Sequence, residues 1–222
     1  MTEPHWVTPE YVQLLVQAGT DIVELGIQSS DAINGRHFGR SSSTATMQRA
    51  VRLLNDGGIY LRYLVIVDIP GLSTLEHESL LELLMGFPRP YDLFLFSLCY
   101  FPGSAWVEDG LASGVLSPDQ VDDRAKKIFE QYRVDLAFSR PAEETWWLAL
   151  MVLDASQLVP RRVLRRIVKH RLFADNPDPL TRWARAAGVI KTARVAAKLT
   201  RRGEMPTYLL RRWLNPRSWI TQ

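Results

Sequence analysis

The 222-residue chain contains one cysteine, Cys99. A lone thiol excludes an internal disulfide, a cysteine-rich zinc site and any iron–sulfur cluster held by three or four thiolates of this chain. Long apolar runs are also missing, and none approaches the ~20 residues that span a bilayer. Met1-Thr2-Glu3-Pro4-His5-Trp6 has neither a basic start nor an apolar stretch, so no secretory signal is expected. His5, His37, His77 and His170 share no spacing suited to metal ligation, and no metal is assigned to them. These absences point to a cytoplasmic protein, soluble or peripheral to a membrane. With 46% hydrophobic and 23% charged residues, the chain can nevertheless bury a core.

Charge divides the sequence. Residues 1–139 carry 10 Lys or Arg against 18 Asp or Glu, whereas residues 140–222 carry 17 against 6. Two regions of opposite sign imply two structural units, 1–139 and 140–222.

The first region alternates between helical and strand patterns. Thr8-Pro9-Glu10 reads as an N-cap with proline in the first turn, opening a helix that stops at Gly19. A short strand, Asp21 to Ile27, follows. The run Ser41-Ser42-Ser43-Thr44 opens a second helix, with Met47, Ala50, Val51 and Leu54 at helical spacing, ending at Gly57-Gly58. Ile59 to Val67 is short, β-branched and nearly continuous, as a strand covered on both faces would be. Ser73-Thr74 opens a third helix, Asp92 to Leu98 reads as another buried strand, and Ser117-Pro118 opens a fourth helix running to Phe138. This order is the βα signature of a parallel sheet.

The fold expected is therefore α/β, a half barrel of three parallel strands, because three strands cannot close a barrel. Either further strands are missing or a partner supplies them. Beyond Pro141 the β signals vanish. Helices are expected over Glu143–Leu158, Arg161–Phe173 and Arg182–Arg202, with Asp175 to Pro179 as a turn and a tail, Thr207 to Ile220, bearing Trp213 and Trp219. In parallel sheets ligands gather beyond the strand C-termini. Those positions hold Gln28-Ser29-Ser30, Asp68-Ile69-Pro70-Gly71 and Tyr100-Phe101-Pro102-Gly103.

These strand ends also carry a resemblance. Glu24-Leu25-Gly26-Ile27-Gln28-Ser29 resembles the fourth strand of radical S-adenosylmethionine (SAM) barrels, with Arg40 twelve residues past Gln28, where that family often has an arginine. Leu64 to Gly71 resembles the fifth strand, and Phe96 to Ser104 the sixth with its Pro-Gly turn. Phe87-Pro88-Arg89-Pro90-Tyr91-Asp92 is similar to the cobalamin-binding branch in particular. The match covers residues 8–120. Leu64 and Leu72 depart from it, standing where members often have acidic residues, and no CxxxCxxC motif is present.

The resemblance implies part of a SAM site. Gln28 would donate to and accept from ribose hydroxyls, Arg40 would clamp the methionyl carboxylate through its planar fork, Ser30 would contact the same ligand, and Asp68 would accept from a ribose or substrate hydroxyl. Phe101 and Tyr100 would line the adenine pocket. Each has a plainer reading: a buried glutamine bonded to backbone, a surface arginine, a helix cap at Ser30, a turn aspartate, and core aromatics. Cys99 reads as a small buried apolar residue.

The implied cofactors are SAM, a [4Fe-4S] cluster of the parent enzyme not ligated by this chain, and cobalamin. The implied partner is a cluster-bearing N-terminal segment or subunit, and the small-molecule substrate is open. The chain would be a fragment or subunit, inactive alone. The rival reading is a non-enzymatic basic helical module docking on an anionic membrane surface or a protein. Nucleic acid ranks last for the basic region, since no recognised nucleic-acid motif is present.

Overall fold

The computed structural model describes residues 1–40, 42–126 and 140–201. The chain divides into two compact units, Met1–Arg133 and Val134–Gln222. The expected tail with Trp213 and Trp219, and the end of the fourth helix towards Phe138, lie outside the described residues.

The first unit is a three-stranded parallel sheet in the order β1 (Ile22–Gln28), β2 (Tyr60–Val67), β3 (Tyr91–Ser97). Helices α1 (Pro9–Gln17), α2 (Asp31–Phe38), α3 (Thr44–Asp56), α4 (Thr74–Gly86), α5 (Ala105–Ala112) and α6 (Pro118–Lys126) precede, link and follow the strands. The fold class expected from sequence, a partial βα barrel followed by helices, is the one observed. Two short helices, α2 and α5, add to the expected order.

Side-chain caps set the helix starts. Thr8 Oγ1 accepts from the Tyr11 amide at 3.2 Å and Ser43 Oγ from the Thr46 amide at 3.2 Å. At α4 the cap is reciprocal: Ser73 Oγ accepts from the Glu76 amide at 3.3 Å, and Glu76 Oε2 accepts from the Ser73 amide at 2.8 Å. Each cap satisfies an amide that the helix itself leaves unpaired.

Register assigns each residue to a face, because side chains alternate along a strand. Val23, Leu25 and Ile27 share one face with Leu61, Tyr63, Val65 and Val67 and with Tyr91, Leu95 and Ser97; all are buried. The helices cover this face with residues such as Met47, Ala50, Leu54, Leu80 and Leu84. Tyr63 packs between Phe87 and Tyr91, with ring centroids 4.8 Å apart in both pairs.

The opposite face is only half buried, which corrects the expectation that the strands are covered on both sides. Its lower row is charged. Glu24, Arg62 and Asp92 are register partners across the three strands. Arg62 Nη1 donates to Glu24 Oε1 at 3.0 Å, its Nη2 lies 3.8 Å from Asp92 Oδ2, and its guanidinium sits 4.5 Å from the Phe94 ring centroid. Tyr60 donates to Asp92 Oδ1 at 3.1 Å. Burial first, then the Asp92 charge, pushes the Tyr60 phenol well above its ordinary pKa. Above this row the face is apolar, with Leu64, Ile66, Phe94 and Phe96.

The second unit is helical: α7 (Ala142–Ser156), α8 (Arg161–Lys169) and α9 (Asp178–Arg201). α7 is apolar nearly all round and packs against both others, as a central helix must. Trp146 and Trp147 are both buried and meet edge to face, 4.6 Å between centroids. Buried Asp154 Oδ1 accepts from Arg161 Nε at 3.1 Å, tying the end of α7 to the start of α8. α7 departs from its expected bounds by one residue at its start and two at its end, and two other boundaries differ by four. α8 ends at Lys169 because Arg171 and Phe173 are left-handed. α9 begins at Asp178 because Pro179 fits a first helical turn, where no amide is needed.

Glu76 also joins α4 to α2, its Oε1 accepting from Arg36 Nη1 at 3.1 Å and lying 4.0 Å from His37 Nε2. Burial first, with Arg36 beside it, lowers the His37 pKa, and Glu76 only partly opposes this. For Glu76, burial would raise the carboxyl, but the Ser73 hydrogen bonds and Arg36 together hold it lower. The signs agree. A lowered folded pKa gives stability that is present above the unfolded value and lost as pH falls. Denaturant midpoints should therefore drop as pH falls below His37's ordinary value of 6.5, and His37→Gln should remove part of that slope. Superimposable pH profiles for the two proteins would show that His37 plays no part.

Candidate functional site

Parallel pairing puts all three strand C-termini on one rim, and that rim departs from ordinary backbone. Gln28 ends β1 at φ 62° and Asp68 follows β2 at φ 58°. Non-glycine residues in this left-handed region cost roughly 1–2 kcal/mol each, and such positions cluster at functional sites. The pairing of β1 with β2 slips between Gly26 and Gln28, a bulge at the same point. Gln28 turns back over Gly26: a Cβ added to Gly26 would stand 2.9 Å from Gln28 Nε2. Glycine at 26 leaves room for that amide.

The turn after Gln28 is polar and buried. Ser29, Ser30 and Asn34 are all inaccessible or nearly so. Asn34 Nδ2 donates to the carbonyls of Ile27 at 3.1 Å and Ser29 at 2.9 Å, closing the β1 end against α2. Its Oδ1, with Ser29 Oγ and Ser30 Oγ, has no hydrogen-bond partner among the described residues. Buried polar atoms are normally satisfied, so three such atoms at one strand end suit a polar ligand. The capping alternative for Ser30 holds by position, since Ser30 is the N-cap residue of α2. Its carbonyl accepts from the Asn34 amide at 2.8 Å, but its hydroxyl caps nothing.

At the next two strand ends, Ser97 Oγ donates to Asp68 Oδ2 at 2.5 Å, and the Leu98 amide donates to the Val67 carbonyl at 2.9 Å. Asp68 is thus fixed by the neighbouring strand. Beyond β3 the two aromatics separate. Tyr100 is buried with Val107, Leu116 and Val121, its ring 5.6 Å from Trp106, whereas Phe101 is 58% exposed. The core alternative therefore holds for Tyr100 and fails for Phe101, whose side chain the Pro102-Gly103 turn leaves outside. Cys99 is half-buried, not fully buried, with Sγ 3.7 Å from the Ser97 carbonyl.

Gln28 ends β1, while Ser30, Asp68 and Phe101 follow the ends of adjacent strands, and Arg40 stands apart. It lies just past α2, where Gly39 takes the left-handed cap position and the Arg40 amide donates to the Asn34 carbonyl at 3.0 Å. Its Nη1 donates to Glu3 at 2.8 Å. Glu3 follows Thr2, which pairs in parallel with Leu25 on the outer edge of β1: the Thr2 amide donates to the Glu24 carbonyl at 2.8 Å, and the Gly26 amide to the Thr2 carbonyl at 2.9 Å. Sequence reading missed Asn34, Ser97 and Glu3. For Ser97 a signal exists, a polar residue closing the apolar run Leu93 to Phe96.

No protein-family model and no curated protein sequence matches this chain. Several solved structures are similar to it. One is the archaeal Methanocaldococcus infernus Elp3 with an N-terminal deletion, 21% identical over 64% of this chain and 35% of that one, at TM-score 0.43. Another is the radical SAM methyltransferase TsrM from Kitasatospora setae with cobalamin and a [4Fe-4S] cluster bound. It is 13% identical over 84% of this chain and 45% of that one, at TM-score 0.46. The chain spans less than half the length of either.

Two substitutions separate the brace from the strained rim. Asn34→Ala removes two buried hydrogen bonds, although the Ile27 carbonyl keeps the Ser29 amide as a donor at 2.8 Å, and should cost about 1–3 kcal/mol of unfolding free energy. Gln28→Gly relieves a left-handed residue and should leave stability within about 1 kcal/mol or raise it. Equal losses in chemical denaturation would show that Gln28 serves folding rather than a ligand.

Proposed function

We propose that residues 1–139 are the C-terminal half of a radical SAM βα barrel and contribute part of its SAM site. One coincidence carries this reading. The three segments that resemble successive strands of such barrels end three adjacent parallel strands in the same order, and two of those ends hold left-handed non-glycine residues. The single parallel pairing of Thr2 with Leu25 also supports it, since it marks the β1 edge where a preceding strand would lie.

The residues fit the proposed groups unequally. SAM is a polar ligand with a carboxylate, ribose hydroxyls and a flat adenine. The unpartnered hydroxyls of Ser29 and Ser30 and the Asn34 amide oxygen suit such a ligand. Ser30, Gln28 and Asp68 would take hydroxyls, Arg40 the carboxylate and Phe101 the adenine face. When bound beside a reduced cluster, SAM supplies a carbon radical. The chain's own task is to hold it at the strand ends and keep water away.

A [4Fe-4S] cluster does not fit, because one cysteine cannot provide three thiolates. A cluster-bearing N-terminal segment or partner subunit would complete the enzyme, in the cytoplasm, acting on a small-molecule substrate. Cobalamin belongs to this reading through the Phe87–Asp92 resemblance alone. The isolated chain is then inactive.

Arg40 is engaged with Glu3 at 2.8 Å, so a ligand carboxylate must displace or share that pairing. The test is SAM titration of the cluster-loaded assembly, reconstituted anaerobically with the cluster-bearing part. Arg40→Ala should weaken binding about ten- to a hundredfold, as loss of a charge-assisted contact does, and Gln28→Ala by less. Unchanged affinity in a folded, cluster-loaded Arg40→Ala protein would remove Arg40 from the site. A stoichiometric cluster on this chain alone would overturn the division of labour.

A further inference from the structure

The second unit carries a surface that the strand-end site does not use. α8 buries Leu164 and Ile167 and turns Arg162, Arg165, Arg166 and Lys169 outward. Arg165 and Arg166 each stand three or four residues from both Arg162 and Lys169, so the four form one basic stripe. Directly after it comes the turn Arg171-Leu172-Phe173, in which Arg171 (φ 47°) and Phe173 (φ 66°) are both left-handed.

The turn is braced from below. The Leu172 amide donates to the Ile167 carbonyl at 3.0 Å and the Ala174 amide to the Arg171 carbonyl at 3.1 Å. Trp146 Nε1 donates to the Leu172 carbonyl at 2.8 Å, and Arg171 pairs with Glu143 at 3.3 Å. The side chains nevertheless point out. Leu172 is 42% and Phe173 39% exposed, and Phe173 meets the 52% exposed Trp183 of α9 edge-on, 5.8 Å between centroids. A turn that holds left-handed backbone while exposing Leu172 and Phe173 beside the exposed Trp183 of α9 is not explained by core packing.

Charge identifies what covers it. Between residues 161 and 185 stand eight Arg or Lys and two Asp, Asp175 and Asp178. Such a surface calls for a polyanion. Nucleic acid would use the cations, but aliphatic Leu172 gains nothing from phosphate, and an edge-on Phe–Trp pair offers no parallel stacking platform. An anionic bilayer interface matches both features, with headgroups for the arginines and the acyl boundary for the apolar tip. We infer that α8 and the turn after it form a docking surface for an anionic lipid bilayer, with Leu172, Phe173 and Trp183 entering the interface.

The full chain should co-sediment with phosphatidylcholine vesicles containing about 30% phosphatidylserine at about 0.1 M salt and be released at about 0.5 M. Leu172→Ser with Phe173→Ser should weaken binding at least about tenfold, and each of Arg162→Gln and Arg166→Gln about fivefold. All four positions are exposed, and circular dichroism checks that the variants stay folded. Absence of binding, equal binding to neutral vesicles, or unchanged binding by the double serine variant would overturn the inference. So would a preference for single-stranded DNA that is indifferent to Leu172 and Phe173.

Discussion

Two parallel strands cannot be joined by a tight turn; each connection must cross back over the sheet, and a helix is the usual way to do so. In this chain that constraint organises the whole first unit. α3 and α4 return the chain between strands, bury Tyr63, Val65 and the other residues of one face, and leave every strand C-terminus on one rim. Gln28, Asp68 and the Tyr100-Phe101 segment are neighbours in space because of the pairing, although they are far apart in sequence. The rim then takes on strain that the sheet interior does not have, held at one end by Asn34 and at the next by the bond from Ser97 to Asp68.

The same pairing gives the half-buried face its order. Glu24, Arg62 and Asp92 form a row of alternating charge because they are register partners, and opposite charges side by side on one face stabilise a sheet. This row lies towards the strand N-termini, where residues of βα barrels serve stability, while the rim lies at the C-termini, where they serve chemistry. Leu64, one step above the charges, occupies a position where an acidic residue would be expected from the radical SAM resemblance. Between Gly26 and Phe94 it extends the apolar part of the face instead.

Much of the fold was legible because its signals are local. Thr8, Ser43, Ser73 and Ser117 announced helix starts, and β-branched runs such as Leu64 to Val67 announced strands. What was not legible depends on register. Nothing near Arg62 reveals that Glu24 and Asp92 flank it, and nothing near Asn34 reveals that the Ile27 and Ser29 carbonyls end beside it. α2 was visible only as an alternative reading of Ser30-Asp31, since Ile33 and Asn34 are its only buried residues. The left-handed backbone at Gln28 and Asp68 carried no glycine to mark it. Arg40 was legible by spacing alone, and its pairing with Glu3 was not, because thirty-seven residues separate the two.

The central claim is that the three strand ends form one ligand-binding rim for SAM. Amide nuclear magnetic resonance of the chain titrated with SAM to several millimolar tests it most directly, since weak binding still moves resonances. Binding at the rim predicts saturable shifts at Gln28 to Ser30, at Asp68 to Gly71 and around Phe101, with the Glu24–Arg62–Asp92 row unmoved. Shifts absent from all three ends, or confined to residues away from the rim, would contradict it.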